Sequence, residues 1–395
     1  MCSIRLEGSE VPVVLQVLPS LAAGGAERAA VEIARAVAEA GARSLVASAG
    51  GPLEYDLRRA GARHVMLPLT SEGFFARRRN ARRLAKLIAA EGVDIVHARS
   101  RSTAWSALWA AQQRGVHFLT TFHRVYPLRG SRQQRYSEVM VKGERVIAVS
   151  QFLADHIRQN YPVDPGRIRL IRRGIDFRNF DPDSVGPERL VQLARRLNLP
   201  DGVPIVLLAG RLEQWKGQKL LFDALARLKD QHFRCLLLGL AKDNRGRRAE
   251  LERQARRAGL EERVQIAGDC TDMPAAYMLA DVVISVSTEP EAFASAIIEA
   301  QAMGRPVVTT RHGGAEEQVV PAETAWTVPP DGPAALAGAI AEALSLAPEE
   351  RQTLGRVAIA HVRENFARAR MTEQTLAVYE ELLRADAYAQ APVPA

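Results

Sequence analysis

The 395-residue sequence is poor in cysteine and has no long apolar run. Its three cysteines, Cys2, Cys235 and Cys270, are scattered and form no CxxC pair, which argues against structural zinc and against a disulfide-stapled fold. No stretch of about 18 apolar residues occurs, so no membrane-spanning helix is expected. Residues 1–12 lack the apolar core of a secretory signal, and we therefore expect a cytoplasmic protein.

Lysine is also scarce, because only six of the 53 basic residues are lysines. The formal net charge is +8. The arginine excess reflects either the base composition of the source genome or an affinity for nucleotides, anionic lipid or nucleic acid, and charge alone does not choose between these. The chain length and the hydrophobic fraction of 47% are those of a folded protein with two domains.

Short apolar runs rich in β-forming residues alternate with helix-compatible segments in two series. The first series lies in residues 11–150 and the second in residues 204–330, and a looser segment over residues 176–188 separates them. This alternation is typical of βαβ units around a parallel sheet. We predict an α/β protein of two Rossmann-like domains, comprising residues 1–175 and 176–370.

Glycines and cations follow two of the predicted strands. Gly24 and Gly25 precede a predicted helix, where glycine allows close approach of a ligand and the helix N-terminus favours an anion. Taken alone, the pair is better explained by a tight βα turn. Arg211 and Lys216 follow the strand at residues 204–210, at the edge where open α/β sheets bind ligands. They are candidates to neutralise a diphosphate, or they are ordinary cations of a solvated loop.

Two glutamates flank a run of small residues. Glu291 and Glu299 are separated by seven residues. If a helix begins near Ala294, free amides from Phe293 to Ser295 point at an anion and Glu299 lies in the first turns. A carboxylate in that position can accept both hydroxyls of a ribose. Two unrelated glutamates on an amphipathic helix would give the same spacing.

Taken together, these motifs resemble the retaining glycosyltransferases of family four, which have the GT-B fold of two facing Rossmann-like domains with an interdomain cleft. The resemblance runs from Val13 to Leu383. Seven motifs carry it in order: Gly24-Gly25-Ala26-Glu27-Arg28, Asp94-Ile95-Val96-His97, Thr121-Phe122-His123, Gly210-Arg211 with Lys216-Gly217, Glu291 with Glu299, Gly304 to Val308, and Gly313-Gly314 with Glu317. The resemblance also implies a C-terminal helix at 371–388 that packs back on the N-terminal domain.

The sequence departs from the family pattern at three positions. Arg99 stands where the family often has the second histidine of H-x-H, and Arg173 stands where an asparagine is common before G-hydrophobic-D. Ala294 replaces the glycine of E-x-F-G, and alanine makes a left-handed backbone more costly there. These changes bear on the acceptor more than on the donor.

The resemblance implies transfer of a sugar from a nucleotide-diphosphate donor to a saccharide or glycolipid acceptor, as in surface polysaccharide or lipopolysaccharide assembly. It implies retention of anomeric configuration, donor binding by the C-terminal domain, and no required metal or cofactor. A UDP-sugar is the favoured donor, with GDP- and ADP-sugars as alternatives.

The implied site residues fall into catalytic, donor-binding and acceptor-side groups. The catalytic candidates are Arg211 and Lys216, which would stabilise the leaving diphosphate, Glu291, which would orient the donor sugar, and His123, which would position the reacting groups. The donor-binding candidates are Arg211 and Lys216 together with Gly24, Gly25, Phe293, Ala294, Ser295 and Glu299. The less favoured alternative for His123 is a strand-end histidine that caps local backbone. Glu317 is a candidate to orient the cations.

Basic clusters indicate the acceptor side. Arg124 and Arg129 follow His123 and would meet an anionic acceptor. Residues 73–88 combine paired phenylalanines with arginines, and such a segment either contacts anionic lipid at the inner face of the cell membrane or is a solvated arginine face. The D-x-D string at residues 181–183 is interpreted as a solvated turn rather than a metal site.

Two other functions fit parts of the sequence. A nucleotide-sugar epimerase of GT-B architecture would need further acid/base groups near the sugar. A non-enzymatic protein that binds nucleic acid or an anionic surface would use the arginine excess, but no zinc-finger spacing or RNA-binding aromatic signature supports it. The expected partners are therefore a nucleotide sugar and a saccharide or lipid-linked acceptor, and no nucleic acid.

Overall fold

The computed structural model describes residues 11–22, 24–71, 73–126, 130–239 and 244–390, without the side chains of 131, 132, 244 and 385–390. The chain divides into two compact units. Unit 1 comprises Met1–Gly174 and Arg368–Ala395, and unit 2 comprises Ile175–Ala367. The acceptor and donor roles assigned to the two predicted domains stay predictions.

Both units are built from alternating strands and helices. Within the described ranges the strands are β1 (Val13–Val17), β2 (Arg43–Ser48), β3 (Arg63–Met66), β4 (Ile95–Ala98), β5 (His117–Phe122), β6 (Arg145–Ala148), β7 (Ile168–Leu170), β8 (Ile205–Ala209), β9 (Arg234–Leu238), β10 (Val264–Gly268), β11 (Val282–Ser285), β12 (Val307–Thr310) and β13 (Trp326–Val328). The helices are α1 (Gly25–Glu39), α2 (Glu54–Arg59), α3 (Phe74–Glu91), α4 (Arg101–Arg114), α5 (Ser131–Ser137), α6 (Gln151–Asn160), α7 (Pro187–Arg196), α8 (Gln218–Leu225), α9 (Asn244–Arg257), α10 (Met273–Leu279), α11 (Ser295–Ala302), α12 (Pro333–Ser345), α13 (Pro348–Asn365) and α14 (Arg368–Gln390).

Unit 1 contains a parallel sheet in the order β3-β2-β1-β4-β5-β6-β7. The strand order reverses between β1 and β4, so the topological switch point lies there, and ligands of such sheets bind outside the carboxyl ends of the strands. Every residue of β1, β4 and β5 is buried, as expected for central parallel strands covered on both faces.

The last helix, α14, belongs to unit 1 and completes its core. Its buried side chains Met371, Leu376, Tyr379 and Leu382 join a cluster with Ile95 and other residues of the sheet and α1. Full burial of each aliphatic side chain stabilises the fold by about 1.5–3 kcal/mol. The Glu381 carboxylate also accepts hydrogen bonds from Arg145 and Arg169, at 2.6 and 2.7 Å.

Unit 2 contains a second parallel sheet in the order β10-β9-β8-β11-β12-β13. Strand β8 shows how its two cores arise, because side chains alternate between the faces of a strand. Val206 and Leu208 join the core beneath α8, α9 and α12, while Ile205 and Leu207 join the core beneath α7, α10 and α11. The predicted class of two Rossmann-like domains with parallel sheets is confirmed, and the switch point of unit 2 lies between β8 and β11.

Candidate functional site

The loops after β8 and β11 meet at the switch point of unit 2. Gly217 makes this approach possible, because its φ is +77° and a Cβ at this position would overlap the backbone oxygen of Val286. The amide of Thr288 donates to the oxygen of Trp215 at 2.8 Å, which ties the loops together a second time. Glycine is therefore required at position 217 for two reasons, the positive φ and the close approach of the Val286 backbone oxygen.

Lys216 and Glu291, one on each loop, are brought together directly. The Lys216 Nζ donates to both carboxylate oxygens of Glu291, at 2.6 and 2.7 Å, and the Ser287 hydroxyl donates to the same carboxylate at 2.9 Å. Nζ also lies 4.6 Å from the centre of the Trp215 ring, within cation–π range. The two predicted catalytic residues thus form an ion pair.

The backbone around Glu291 is fixed by the glycine pair that follows β12. Gly313 has φ +64° and forms a parallel bridge with Glu291, while the amide of Gly314 donates to the Glu291 oxygen at 2.7 Å. A Cβ on Gly314 would overlap the backbone oxygen of Ala292. The glycines of the GG-x-x-E motif therefore hold the loop that carries Glu291 in place.

A helix does begin where the small residues predict it, with Ala294 as the N-cap of α11. The Ala294 amide, which was expected to face an anion, donates instead to the side-chain oxygen of Gln318 at 2.9 Å. The Gln318 amide nitrogen donates back to the Ala294 oxygen at 3.0 Å. Phe293 is buried with its ring 6.0 Å from that of Phe366, and Ser295 is half-buried in the first turn.

Glu299 lies on α11 with a neighbour that sequence reasoning missed. The hydroxyl of Tyr277 donates to Glu299 Oε2 at 2.7 Å. Burial, followed by the charge of Glu299, raises the pKa of Tyr277 well above its usual value, so the phenol remains a donor at neutral pH. Tyr277 therefore fixes the orientation of the carboxylate predicted to bind ribose.

Arg211 is the exposed cation of the site. Its guanidinium lies 6.0 Å from the Trp215 ring centre, and the described part of the chain supplies no hydrogen-bond partner for it. The loop beneath it is braced from α9, where the Arg247 Nε donates to the Leu212 oxygen at 2.7 Å and Nη2 to the Gln218 side chain at 2.9 Å. Arg211 is thus placed on a fixed loop with its charge directed to solvent.

The glycine pair of unit 1 lies at the start of α1, at the carboxyl edge of the sheet. Gly24 is the N-cap of α1, and no side chain caps this helix end. A Cβ on Gly25 would overlap the guanidinium of Arg173. The pair therefore permits an arginine, rather than only a ligand, to approach the backbone closely.

The two histidines of unit 1 differ in their partners. His97 is fully buried and bonds to the Tyr379 hydroxyl and the Thr121 hydroxyl, both at 2.7 Å, which makes it a structural group. His123 directly follows β5, and both of its ring nitrogens are buried with no hydrogen-bond partner in the described residues. Burial, and after it the charges of Arg99 and Arg173, hold the pKa of His123 well below its usual value.

Only one of the two predicted acceptor-side arginines lies in the described residues. Arg124 is exposed, with its guanidinium 5.9 Å from the Tyr126 ring centre, whereas Arg129 lies outside the described residues. In α3, Phe74 is 53% exposed and Phe75 is 83% exposed. The Arg78 guanidinium lies 4.7 Å from the Trp109 ring centre beside them.

Two further sequence expectations concern metal binding and membrane spanning. The Asp181 carboxylate accepts from the amide of Asp183 at 3.2 Å and caps a short 3-10 turn at Pro182–Ser184. Among the helices in the described ranges, none is both long enough and apolar enough to cross a membrane.

Both parts of the chain match known protein families. Residues 192–361 match the family described as Glycosyl transferases group 1, and residues 23–179 match Glycosyltransferase Family 4. The D-inositol 3-phosphate glycosyltransferase of Corynebacterium efficiens is 30% identical over 256 residues, which cover 62% of this chain and 59% of that protein. The chain thus spans about six tenths of the length of such curated relatives, at 59–61%.

Solved structures resemble the chain over nearly its whole length. A glycosyltransferase from Rickettsia africae ESF-5 is 34% identical, with a TM-score of 0.87 over 95% of this chain and 100% of that one. HepE from Anabaena, solved in complex with UDP and glucose, is 25% identical, with a TM-score of 0.81 over 92% of this chain and 98% of that one. These likenesses confirm the predicted GT-B class of fold.

Proposed function

Because the chain belongs to the group 1 glycosyltransferases of family four, we propose that it transfers a sugar from a nucleotide-diphosphate donor to a saccharide or glycolipid acceptor. The observation that carries this proposal is the placement of Arg211, Lys216 and Glu291. They stand on two loops at the carboxyl edge of one parallel sheet, on either side of its switch point. Open α/β sheets bind nucleotides at this position.

The two cations match the charge that develops in such a transfer. When the bond between the sugar and the diphosphate breaks, negative charge grows on the leaving oxygen. Arg211 and Lys216 are held on a fixed loop, so they stabilise that charge without reorganising at the moment of reaction. Loss of one such group typically lowers kcat by about 10²–10³.

Donor binding must exchange the partner of Lys216. Nζ is shared between the two oxygens of Glu291. A phosphate oxygen takes the place of the carboxylate, and Glu291 is then free to accept hydrogen bonds from the sugar hydroxyls. The ion pair thereby keeps both side chains in position before the donor arrives, which reduces the entropic cost of ordering them.

We propose that the reaction retains the anomeric configuration by front-face substitution. The sugar–diphosphate bond breaks through an oxocarbenium-like transition state, and the acceptor oxygen bonds to the anomeric carbon on the same face. The acceptor proton passes to the leaving phosphate oxygen, so no enzyme nucleophile is required. His123, which is neutral, would position the reacting groups.

A UDP-sugar is the proposed donor, and no metal is proposed as a requirement. HepE was solved with UDP, UDP-glucose and glucose, which supports uridine as the base to test first. The two fixed cations supply the positive charge that a divalent ion supplies at other diphosphate sites. Addition of EDTA should therefore leave nucleotide release unchanged, and a large loss would show that an ion takes part.

A donor screen tests the function. The protein is incubated with UDP-, GDP- and ADP-sugars, and free nucleoside diphosphate and the sugar anomers are followed by NMR. Release of nucleotide with an α-configured product from an α-configured donor supports a retaining transferase. Isomerised sugar that stays attached to its nucleotide indicates an epimerase, and no reaction with steeply salt-dependent binding to nucleic acid or anionic vesicles indicates a binding protein.

The acceptor is proposed to be saccharide or lipid-linked, as in cell-surface saccharide assembly, with peripheral contact between α3 and an anionic membrane. The exposed Phe74 and Phe75 beside the arginines of α3 favour this contact. Cosedimentation with vesicles containing anionic lipid tests it, and Phe75→Ser should weaken it. Equal cosedimentation of the variant and the parent protein would indicate a solvated arginine face.

A further inference from the structure

Arg99 and Arg173 converge at the N-terminus of α1 in unit 1. Arg99 directly follows β4 and Arg173 lies just beyond β7, so both stand at the carboxyl edge of the sheet. Arg173 packs so closely on Gly25, the first residue of α1, that a side chain there would overlap its Nη2. These arginines occupy two of the three positions at which the sequence departs from the family pattern.

The cluster contains buried nitrogen atoms whose hydrogen-bonding capacity is unused. Arg99 is only 5% exposed, and its Nε has no partner within the described part of the chain. Both ring nitrogens of His123, which lies near Arg99, are also buried without a hydrogen-bond partner among the described residues. Buried polar groups are satisfied in most native structures, so the Arg99 Nε–H and the single N–H of the neutral His123 point to a ligand that carries acceptor oxygens.

The charge of the cluster indicates which kind of ligand it takes. Burial, and after it the repulsion from Arg173, lower the pKa of Arg99 to about 10, while the charges of Tyr379 and Glu27 oppose this shift. Glu27 lies in the first turn of α1, and among the described residues it is the carboxylate whose charge acts on Arg99, beside the like charge of Arg173. The partial positive charge of the uncapped helix end adds to the excess. A dianion would neutralise it.

We propose that Arg99, Arg173 and His123 bind the phosphoryl group of a phosphomonoester acceptor at the N-terminus of α1. This inference rests on the proposed function, because it names the class of acceptor. A phosphomonoester presents three oxygens to the forked donors of two arginines and to free helix amides. The diphosphate of a donor has related chemistry, and the experiment separates these two sources.

The experiment measures binding of inorganic phosphate to the full chain by calorimetry, with and without saturating UDP. The variants are Arg173→Asn and Arg99→His, which restore the residues common in the family, and Arg99→Lys, which keeps the charge but loses the fork. Arg58→Gln, at an exposed arginine of α2 in the same unit, is the matched control. UDP affinity and nucleotide release from a UDP-sugar are measured for every variant.

Phosphate affinity should fall at least tenfold in Arg173→Asn and Arg99→His, and by a smaller factor in Arg99→Lys. It should stay unchanged in Arg58→Gln. The parent protein should still bind phosphate at saturating UDP. Equal phosphate affinity in all variants would overturn the proposal. Displacement of phosphate by UDP would also overturn it, because the cluster would then serve the donor. If the parent protein neither binds UDP nor releases nucleotide from a UDP-sugar, the proposed function is refuted instead. The two failures are therefore distinguishable.

Discussion

Replacement of Gly217 by alanine tests how the two loops of unit 2 are held together. Two costs arise at this position. The residue has φ +77°, a conformation that costs a non-glycine residue about 1–2 kcal/mol. The new Cβ would also overlap the backbone oxygen of Val286, and relief of such overpacking costs typically about 1–3 kcal/mol. Together, the free energy of unfolding should fall by about 2–5 kcal/mol.

Gly259→Ala is the matched control in the same unit. Gly259 has φ +67°, but a Cβ there would meet no atom within 4 Å, so only the conformational cost applies. Urea unfolding of both variants measures the difference. Nucleotide release should fall only in Gly217→Ala, because the loop that carries Lys216 is displaced from the switch point. Equal losses of stability and activity in the two variants would show that contact with Val286 does not position Lys216.

Three further substitutions test the site and the core. Glu291→Gln should lower turnover by about 10²-fold or more, since the carboxylate that is proposed to orient the sugar is lost. UDP affinity measured by calorimetry should rise several-fold, because Lys216 no longer has to leave a carboxylate. Tyr379→Phe should lower the free energy of unfolding in urea by about 1–3 kcal/mol, because it leaves a buried nitrogen of His97 without a partner. Burial lowers the pKa of both His97 and His123, so below about pH 6.5 the unfolded chain binds more protons than the folded chain. The free energy of unfolding is therefore highest above that pH and falls as the pH drops toward the lowered pKa values. His123→Asn should reduce the slope of this fall by up to about 1.4 kcal/mol per pH unit.

Each of these substitutions has a control or an outcome that contradicts it. Unchanged UDP affinity in Glu291→Gln would mean that the ion pair does not compete with the donor. Tyr55→Phe alters a tyrosine that is 65% exposed and should leave stability unchanged, so equal effects of the two tyrosine variants would refute the burial argument. An unaltered unfolding free energy between pH 7 and pH 5 would contradict the assignment of neutral, buried histidines.

The strands were largely predictable from the sequence, because central strands of a parallel sheet are continuous apolar runs. Strands β1 to β6 form within the first predicted series and β8 to β13 within the second, and β8 lies in the predicted strand at residues 204–210. Strand β7 was not predicted; its three residues, Ile168–Leu170, include Arg169 and lie at the sheet edge. Only Ile168 of β7 is fully buried, so this strand lacks the continuous apolar run by which the buried strands are recognised.

The site was predictable as a set of strand ends but not as a set of contacts. Motif position put Lys216 and Glu291 at the same sheet edge, yet their ion pair depends on the approach of Gly217 to Val286, far along the chain. Gln318, which holds both backbone groups of Ala294, carries no local pattern that would have identified it. Pairings of this kind depend on tertiary packing, which periodicity and spacing do not encode.

The central claim is that fixed cations after β8 stabilise a departing nucleoside diphosphate. The direct measurement is the rate of nucleotide release from the accepted donor by Arg211→Ala, Lys216→Ala and the control Lys219→Ala, whose side chain is 76% exposed and paired with Asp223. We predict losses in kcat of about 10²–10³ for the first two and an unchanged rate for the control. Release by Lys216→Ala and Arg211→Ala at the rate of the parent protein would contradict the claim.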